Sequence, residues 1–408
     1  MRVLRVYHSG RTAAHRARER ALSAAGADVT LVVPSNWSEG GAETVLATEP
    51  FDVREFPVVR PNDVNRHLYA DPEGLRSILL EARPDVVDVH EEPFSAVMRQ
   101  VLSLIPTGTP AVGYSAQNVD KRYPPPFGQF ERAAFSRLSA MYPCTRQAAS
   151  VVRGRGYSGQ VEVLPLGYDP LVFHEGSQRH DDETWTIALV GRLVPEKGVA
   201  DALAVLAALR KVRPVQLVVA GSGPLSGAVK SMAGQLGVED AVTMRPWLSA
   251  DDVAALYRRS HLVLVPSRAT NRWVEQFGRM IIEAQACGAV VVGYASGSIP
   301  EVGGGAAALS AEGDVTGLQR ACTDIAALPV LWSGLRERGR EQTRSTTWDH
   351  VAQRQIELYR SLRNPPVTPK GPQRNRALQE FGAPARLRNG QARPFAVPIL
   401  RSLGLRSG

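Results

Sequence analysis

Cysteine and long apolar runs are what this sequence most lacks. Only three cysteines occur among 408 residues, Cys144, Cys287 and Cys322, and no two of them form a C-x-x-C pair. This usage predicts neither a disulfide framework nor a zinc site, and it is typical of a reducing compartment. No apolar run approaches the roughly 20 residues that span a bilayer, and the first residues lack the apolar core of a secretory signal. We therefore expect a cytoplasmic protein.

The positive charge of the chain is confined to one end. The formal net charge is +8, and residues 363–408 contain nine Lys or Arg against a single acid, Glu380. The residues before this segment are therefore neutral overall, which argues against a nucleic-acid-binding surface. The composition of 363–408, rich in Pro, Gly and Arg, predicts a disordered tail. Weak peripheral contact with anionic lipid at the inner membrane face is the alternative role for this tail.

A β–α rhythm runs along most of the chain, which is the pattern of parallel α/β sheets. The predicted strands lie at 3–7, 29–33, 53–56, 86–90, 111–114, 161–166, 186–190, 216–220, 241–244, 262–265 and 290–293. The predicted helices lie at 13–24, 75–81, 199–213, 225–236, 250–258, 278–287 and 347–362. The rhythm slips near residue 145 and restarts after the polar stretch 174–183, which has the composition of an interdomain linker.

We therefore expect an α/β protein of two Rossmann-like doubly wound domains that face each other across a cleft. The predicted domains are 1–168 and 169–346, with a helix at 347–362 that packs back on the first domain and the tail at 363–408. Ligands of open α/β sheets bind beyond the carboxyl ends of the strands, so the cleft is the predicted site.

The segment Glu275-Gln-Phe-Gly-Arg-Met-Ile-Ile-Glu283 is the most informative in the chain. Phe277 and Gly278 open a predicted helix, whose free N–H groups and dipole suit a pyrophosphate. Glycine at this point lets the backbone approach the ligand closely. Glu283 lies roughly 7.5 Å further along the helix, an offset that suits ribose hydroxyls. Glu275 would lie on the other side of the phosphates.

A second segment, Val190-Gly-Arg-Leu-Val-Pro-Glu-Lys-Gly198, follows the first strand of the second half. Arg192 and Lys197 flank a tight turn at the carboxyl end of that strand. Two fixed cations at this point would neutralise a diphosphate and stabilise it as a leaving group.

The pattern E-x-F-G-x-x-x-x-E resembles the paired-glutamate signature of the retaining glycosyltransferases of family 4 (glycosyl transferases group 1), which have the GT-B fold. The stretch G-R-x-x-x-x-K-G resembles the segment of the family that contacts the donor phosphates, and it includes Gly191. The Gly221-Ser-Gly-Pro turn resembles the next loop near the donor. These matches cover roughly residues 160–305 in the expected order. The resemblance implies that 169–346 binds a nucleotide-sugar donor and that 1–168 binds the acceptor.

Other positions match the family less closely. Gly10 occupies the place of the family's Gly-Gly loop after the first strand, within Ser-Gly-Arg-Thr. Trp247 and Leu248 correspond to the segment that meets the nucleotide base, although an indole packed in the core is an equal alternative for Trp247.

The acceptor side is predicted with the least detail. Many relatives have a histidine after the strand at 111–114, where this chain has Gln117 and Asn118; their amides suit a sugar hydroxyl but cannot act as a general base. His90, at the end of the strand 86–90, is the nearest candidate for a direct role, with a structural role as the alternative.

The resemblance implies transfer of a hexosyl group from a nucleotide diphosphate sugar, with retention, to a glycan, glycolipid or small molecule. Arg192 and Lys197 would stabilise the leaving group, Glu275 would orient the sugar and Glu283 would hold the ribose. UDP is the preferred nucleotide and GDP the next. No D-x-D occurs, so we expect neither a divalent metal nor a cofactor. The alternatives are a sugar-nucleotide epimerase of the same fold, a nicotinamide dehydrogenase, which lacks its G-x-G-x-x-G here, and a degenerate, non-catalytic nucleotide-sugar-binding protein.

Overall fold

The computed structural model of the chain describes residues 1–38, 48–176, 183–246, 248–271 and 273–363. The predicted tail beyond Arg363, the larger part of the predicted linker 174–183 and Trp247 lie outside these residues.

The first half is built on a parallel sheet of seven strands in the order β3-β2-β1-β6-β7-β8-β9. Its strands are β1 Arg2–Val6, β2 Asp28–Pro34, β3 Asp52–Phe56, β6 Val86–Val89, β7 Ala111–Ser115, β8 Ala140–Pro143 and β9 Gln160–Val161. Strands β6 and β8 are buried along their whole length, and apart from Asp88 in β6 their residues are apolar. A short antiparallel pair, β4 Val58–Val59 and β5 Leu68–Tyr69, lies outside this sheet.

Helices connect these strands, as parallel strands require crossover connections. They are α1 Ala17–Ala24, α2 Pro72–Ala82, α3 Ala96–Leu104, α4 Phe127–Arg137 and α5 Arg146–Gly154. Side chains of Asp71, Ser95 and Thr145 cap the first turns of α2, α3 and α5.

The second half repeats the design with a parallel sheet of six strands in the order β12-β11-β10-β13-β14-β15. Its strands are β10 Trp185–Val190, β11 Val215–Ala220, β12 Val242–Arg245, β13 Leu262–Val265, β14 Val290–Tyr294 and β15 Ala308–Ser310. Its helices are α6 Val199–Leu209, α7 Val229–Gln235, α8 Ala250–Arg259, α9 Arg279–Ala286, α10 Ile299–Gly303, α11 Val315–Ala327 and α12 Pro329–Thr343. The predicted class, α/β with two Rossmann-like halves, is confirmed.

The last described helix, α13 Trp348–Arg363, packs against α1 of the first half. Its buried face includes Ile356 and Tyr359. The Tyr359 hydroxyl and the Gln355 amide both donate to the carboxylate of Asp88, which also pairs with the fully buried Arg5. Apolar packing and a buried polar network therefore hold α13 to the first sheet.

Two of the places at which local structure differs from the sequence-based expectation lie in the first half, and in the second half the helix expected at 225–236 forms only over Val229–Gln235. The helix expected at 13–24 begins only at Ala17, after a 3-10 turn at Ala13–His15. The strand expected at 161–166 is regular only over Gln160–Val161. The amides of Glu162 and Leu164 still donate to carbonyls of β8, but Pro165 has no N–H with which to extend the ladder. In the part of the chain that the structure describes, no helix has the length and apolar character needed to cross a membrane.

Candidate active site

Loops that follow β10 and β11 meet at one edge of the second sheet. Gly191 and Gly221 directly follow these strands with φ of +144° and +140°. A Cβ on Gly221 would lie 1.9 Å from the backbone oxygen of Gly191. Only glycine permits both the dihedrals and the approach, so the Gly-rich turn predicted near the donor is a place where two loops touch.

Lys197 and Glu275, 78 residues apart in sequence, form an ion pair at the same edge, with 2.5 Å between Nζ and Oε2. Their side chains are 13% and 10% exposed. The hydroxyl of Ser267 also donates to Glu275 Oε2, at 3.2 Å, and the Lys197 ammonium lies 5.0 Å from the ring centroid of Trp273. The structure therefore brings together two of the residues that the sequence proposed for catalysis.

The backbone around Lys197 is fixed by its neighbours. Lys197 ends a 3-10 turn, Pro195–Lys197, and Gly198 follows with φ of +69° as the residue before α6. A Cβ on Gly198 would lie 2.2 Å from the carbonyl oxygen of Pro266, after β13. The exposed Arg192 lines a small cavity together with Gly191, Lys197 and Ser267. Its contact with donor phosphates stays a prediction.

The first turn of α9 begins next to this pair. Gly278 precedes the helix with φ of +79°, and no side chain caps its N–H groups. Phe277 is buried in the core of the second half, so only its backbone is available to a ligand. Such an opening has donors and a positive dipole end for an anion.

Glu283 lies on the buried face of α9 and is 9% exposed. Burial raises the pKa of its carboxyl, and Arg279, 3.1 Å away across one helical turn, opposes that rise. Leu248 is half-buried against the apolar cluster of the second half that contains Phe277. Trp247 lies outside the described residues. The roles predicted for Glu283 and Leu248 with the nucleotide stay predictions.

A cavity of about 770 Å³ lies on the side of the first half. It is lined mainly by the loops after β1, β6 and β7, by 63–66 and by 121–127, and Gln276 of the second half also reaches it. Its walls combine aromatic, basic and acidic side chains; they include Phe94, Tyr123, Phe127, Arg66, Lys121, His8, His90, Glu91, Glu92 and Gln117. Gly10 is buried just behind this wall, against Tyr7 and Val33.

His90 lies in this wall within a network of core residues. Its Nδ1 is 2.9 Å from the hydroxyl of Tyr142, and that hydroxyl donates to Asp88. Nδ1 must therefore carry the hydrogen, which leaves the lone pair on Nε2. The ring stacks on Tyr114 at 4.0 Å, and burial lowers the pKa of the imidazole well below its usual range. His90 is thus a neutral, fixed imidazole on the cavity wall, and a direct role stays a prediction.

The two amides predicted on the acceptor side have different surroundings. Gln117 lines the cavity. Asn118 is buried and turned toward the second half, where its Nδ2 donates to the carbonyl oxygen of Glu275 at 2.8 Å and to Ser298 Oγ at 3.1 Å. Asn118 therefore joins the loop after β7 to the loop that carries Glu275, so the carboxyl ends of the two sheets meet here. An acceptor contact of Asn118 stays a prediction.

Sequence reasoning missed Glu92. Its carboxylate accepts from Ser115 Oγ and from the amide of Ala116, each at 2.8 Å, and so holds the loop after β7. Burial raises the pKa of Glu92 to about 7, against the opposing effect of these donors. The pair of acids after His90 was the available signal, but the sequence does not show which of the two accepts hydrogen bonds from the loop after β7. A separate group with metal-ligand spacing, His8, His67 and Glu91, occurs at the same cavity.

Two family models match consecutive parts of the chain. Residues 19–170 match the model described as Glycosyltransferase Family 4, and residues 173–345 match the model described as Glycosyl transferases group 1. Both models describe glycosyltransferases, rather than the epimerase or dehydrogenase alternatives.

Curated relatives match over a shorter region. D-inositol 3-phosphate glycosyltransferase from Segniliparus rotundus is 36% identical over 153 residues, 35% of this chain and 33% of the relative. The protein of the same description from Mycobacterium tuberculosis is 36% identical over 155 residues, 35% of this chain and 30% of the relative. The match thus spans about a third of the length of these relatives.

Solved structures agree with the chain in fold. Anabaena HepE in complex with UDP superposes with a TM-score of 0.70 at 15% identity, over 88% of this chain and 100% of HepE. Sucrose-phosphate synthase from Thermosynechococcus elongatus superposes with a TM-score of 0.67 at 18% identity, over 89% and 99%. The predicted GT-B fold is confirmed.

Proposed function

The chain belongs to glycosyltransferase family 4 (glycosyl transferases group 1). From this premise we propose that it transfers a glycosyl group from a nucleotide diphosphate sugar to a hydroxyl acceptor, with retention of configuration. The observation that carries the proposal is the meeting of Lys197, Glu275 and the uncapped first turn of α9 at one edge of the second sheet. Cation, carboxylate and backbone donors are the groups that binding of a diphosphate and a sugar requires.

In the proposed mechanism the diphosphate lies between the opening of α9 and the turn at Pro195–Lys197. Lys197 and Arg192 neutralise the charge that develops on the leaving phosphate, an electrostatic contribution that is typically the largest in such reactions. Because these cations supply the positive charge, we propose that donor binding needs no divalent metal. Glu275 orients the sugar hydroxyls, and Glu283 accepts from the ribose. The UDP bound to HepE supports UDP as the first nucleotide to test, with GDP next.

The acceptor enters the cavity of the first half. Arg66 and Lys121 line it beside the aromatic rings of Phe94 and Phe127, so an acceptor with both a ring face and a negative group is well matched. The name of the curated relatives, D-inositol 3-phosphate glycosyltransferase, points to the same chemistry. We therefore propose a phosphorylated polyol as the first acceptor to test.

Donor binding is tested by thermal shift with UDP-, GDP- and ADP-sugars in the presence of a chelator. A ligand at 100 times its Kd stabilises the native state by about 2.7 kcal/mol, which gives a readily measured shift in Tm. We expect a shift with one nucleotide class, lost in Glu283→Ala and retained in Glu357→Ala, an exposed glutamate on α13. Absence of any shift would refute the donor site.

Transfer is then tested with the donor that binds and with inositol phosphate, and the anomeric coupling constant of the product is read by NMR. Product with the donor's anomeric configuration supports retention, and inverted product refutes it. Transfer to water alone, or to unphosphorylated inositol equally well, would refute the acceptor class while leaving the donor site intact.

A further inference from the structure

Three side chains from separate parts of the first half meet beside the acceptor cavity. His8 follows β1, His67 precedes β5 and Glu91 follows β6. One potential ligand atom from each lies within 4.8 Å of the others. His8 is half-buried, and His67 and Glu91 are buried.

His67 has one nitrogen engaged and one available. Its Nδ1 lies 3.0 Å from the carbonyl oxygen of Asp63, and since a carbonyl only accepts, Nδ1 carries the hydrogen. The lone pair is therefore on Nε2, which is buried and has no hydrogen-bond partner among the described residues. A metal-ligating histidine typically donates its other N–H to a backbone carbonyl in this way.

Glu91 and His8 are ordered with respect to each other. Glu91 Oε1 accepts the backbone N–H of His8 at 2.9 Å, and Oε2 lies 2.7 Å from His8 Nδ1. The carboxylate is 3% exposed and so contributes a poorly hydrated negative charge to the cluster. An imidazole, a second imidazole and a carboxylate form the ligand set of many open zinc sites.

We propose that His8, His67 and Glu91 bind one divalent transition-metal ion of the zinc class, with an open coordination position toward the acceptor cavity. Ligand atoms around a tetrahedral zinc ion lie about 3.4 Å apart, so side-chain adjustments of about 1 Å close this cluster around the ion. Two nitrogen ligands select zinc-class metals over Mg²⁺ and Ca²⁺, which prefer oxygen. His8 and Glu91 line the cavity, so the open position faces the space proposed for the acceptor. The metal site does not depend on the proposed transfer activity.

The test uses the full chain without a histidine tag, titrated with Co²⁺ and read by its visible absorption, followed by competition with Zn²⁺. We expect one equivalent of bound metal and the intense bands of low-coordinate Co²⁺. His67→Phe keeps a ring of similar size and removes both nitrogens; Glu91→Gln keeps the shape and removes the charge. Both should lose about 100-fold or more in affinity. His350→Ala, an exposed histidine on α13, should bind as the parent does.

Circular dichroism and thermal melting establish that the variants are folded; if His67→Phe is not, Glu91→Gln decides alone. Failure of the parent chain to bind metal would mean that the cluster is a hydrogen-bonded group only, and would overturn the proposal. Binding that is unchanged in Glu91→Gln would place the metal elsewhere and would also overturn it. Because donor binding is measured by thermal shift with a chelator present, neither result bears on the proposed transferase activity.

Discussion

The ion pair between Lys197 and Glu275 should contribute measurably to the free energy of unfolding, and a double-mutant cycle tests this. The perturbations are Lys197→Met, Glu275→Gln and the two together. Removal of one partner of a buried pair costs about 3–5 kcal/mol, because the other charge is left unpaired. These side chains are 13% and 10% exposed, and Ser267 remains as a donor to Glu275, so we expect about 2–4 kcal/mol for each single variant.

The double variant should lose less than the sum of the two, with a coupling energy of about 1–3 kcal/mol. Urea denaturation followed by circular dichroism gives the four free energies of unfolding. The matched control is the pair Arg210 and Asp240, with side chains 35% and 70% exposed, for which the coupling energy should be much smaller because solvent screens both charges. Additivity at Lys197 and Glu275, or equal coupling in the two cycles, would refute the reasoning that the site holds a desolvated pair.

Three further predictions concern backbone geometry, pH and the contact between the two halves. Gly221→Ala should lower the free energy of unfolding by more than about 2 kcal/mol, because the φ of Gly221 is +140° and a Cβ would lie 1.9 Å from a backbone oxygen. The control Gly227→Ala, at a glycine with open space around it, should change that free energy by less than about 0.5 kcal/mol. The pKa of Glu92 rises from 4.5 to about 7 on folding, so the folded chain holds a proton that the unfolded chain releases. Relative to Glu92→Gln, the free energy of unfolding of the parent should therefore fall as pH rises from about 4.5 to about 7 and should level off above pH 7. A flat difference across this range in urea titrations would contradict the raised pKa of this carboxyl. Asn118→Ala removes a buried amide that donates to two groups of the second half and should cost about 1–3 kcal/mol in the same measurement; a loss within error would show that the halves do not depend on this contact.

Local features of the sequence were enough for the strands and helices of the second half up to β14, whereas α10, β15, α11 and α12 were not predicted. Strand β13 was predicted with its observed bounds, and α8 with its first residue, because a β-branched run and a Ser249 cap are local signals. The strand β8 was missed, since Tyr142 and Pro143 interrupt the aliphatic pattern that marks its neighbours. Apart from His90 and Gln117, the wall of the acceptor cavity was missed for a related reason: it consists of loops with no periodic pattern.

What the sequence by itself determined is the identity of the donor-site candidates and the strand ends at which they lie. Gly191 and Gly221 directly follow strands, and Gly278 precedes α9. Lys197 and Glu275 lie in the loops that follow β10 and β13, and such positions along the chain are set by local sequence. Only the tertiary structure decided which of them meet. The pairing of Lys197 with Glu275 and the turn of Asn118 toward the second half depend on strand order and on how the sheets pack. The same holds for the choice of Glu92 as the acid with a raised pKa and for the meeting of His8, His67 and Glu91. These are long-range contacts, and no local periodicity contains them, because burial and the distance between two side chains are properties of the assembled fold.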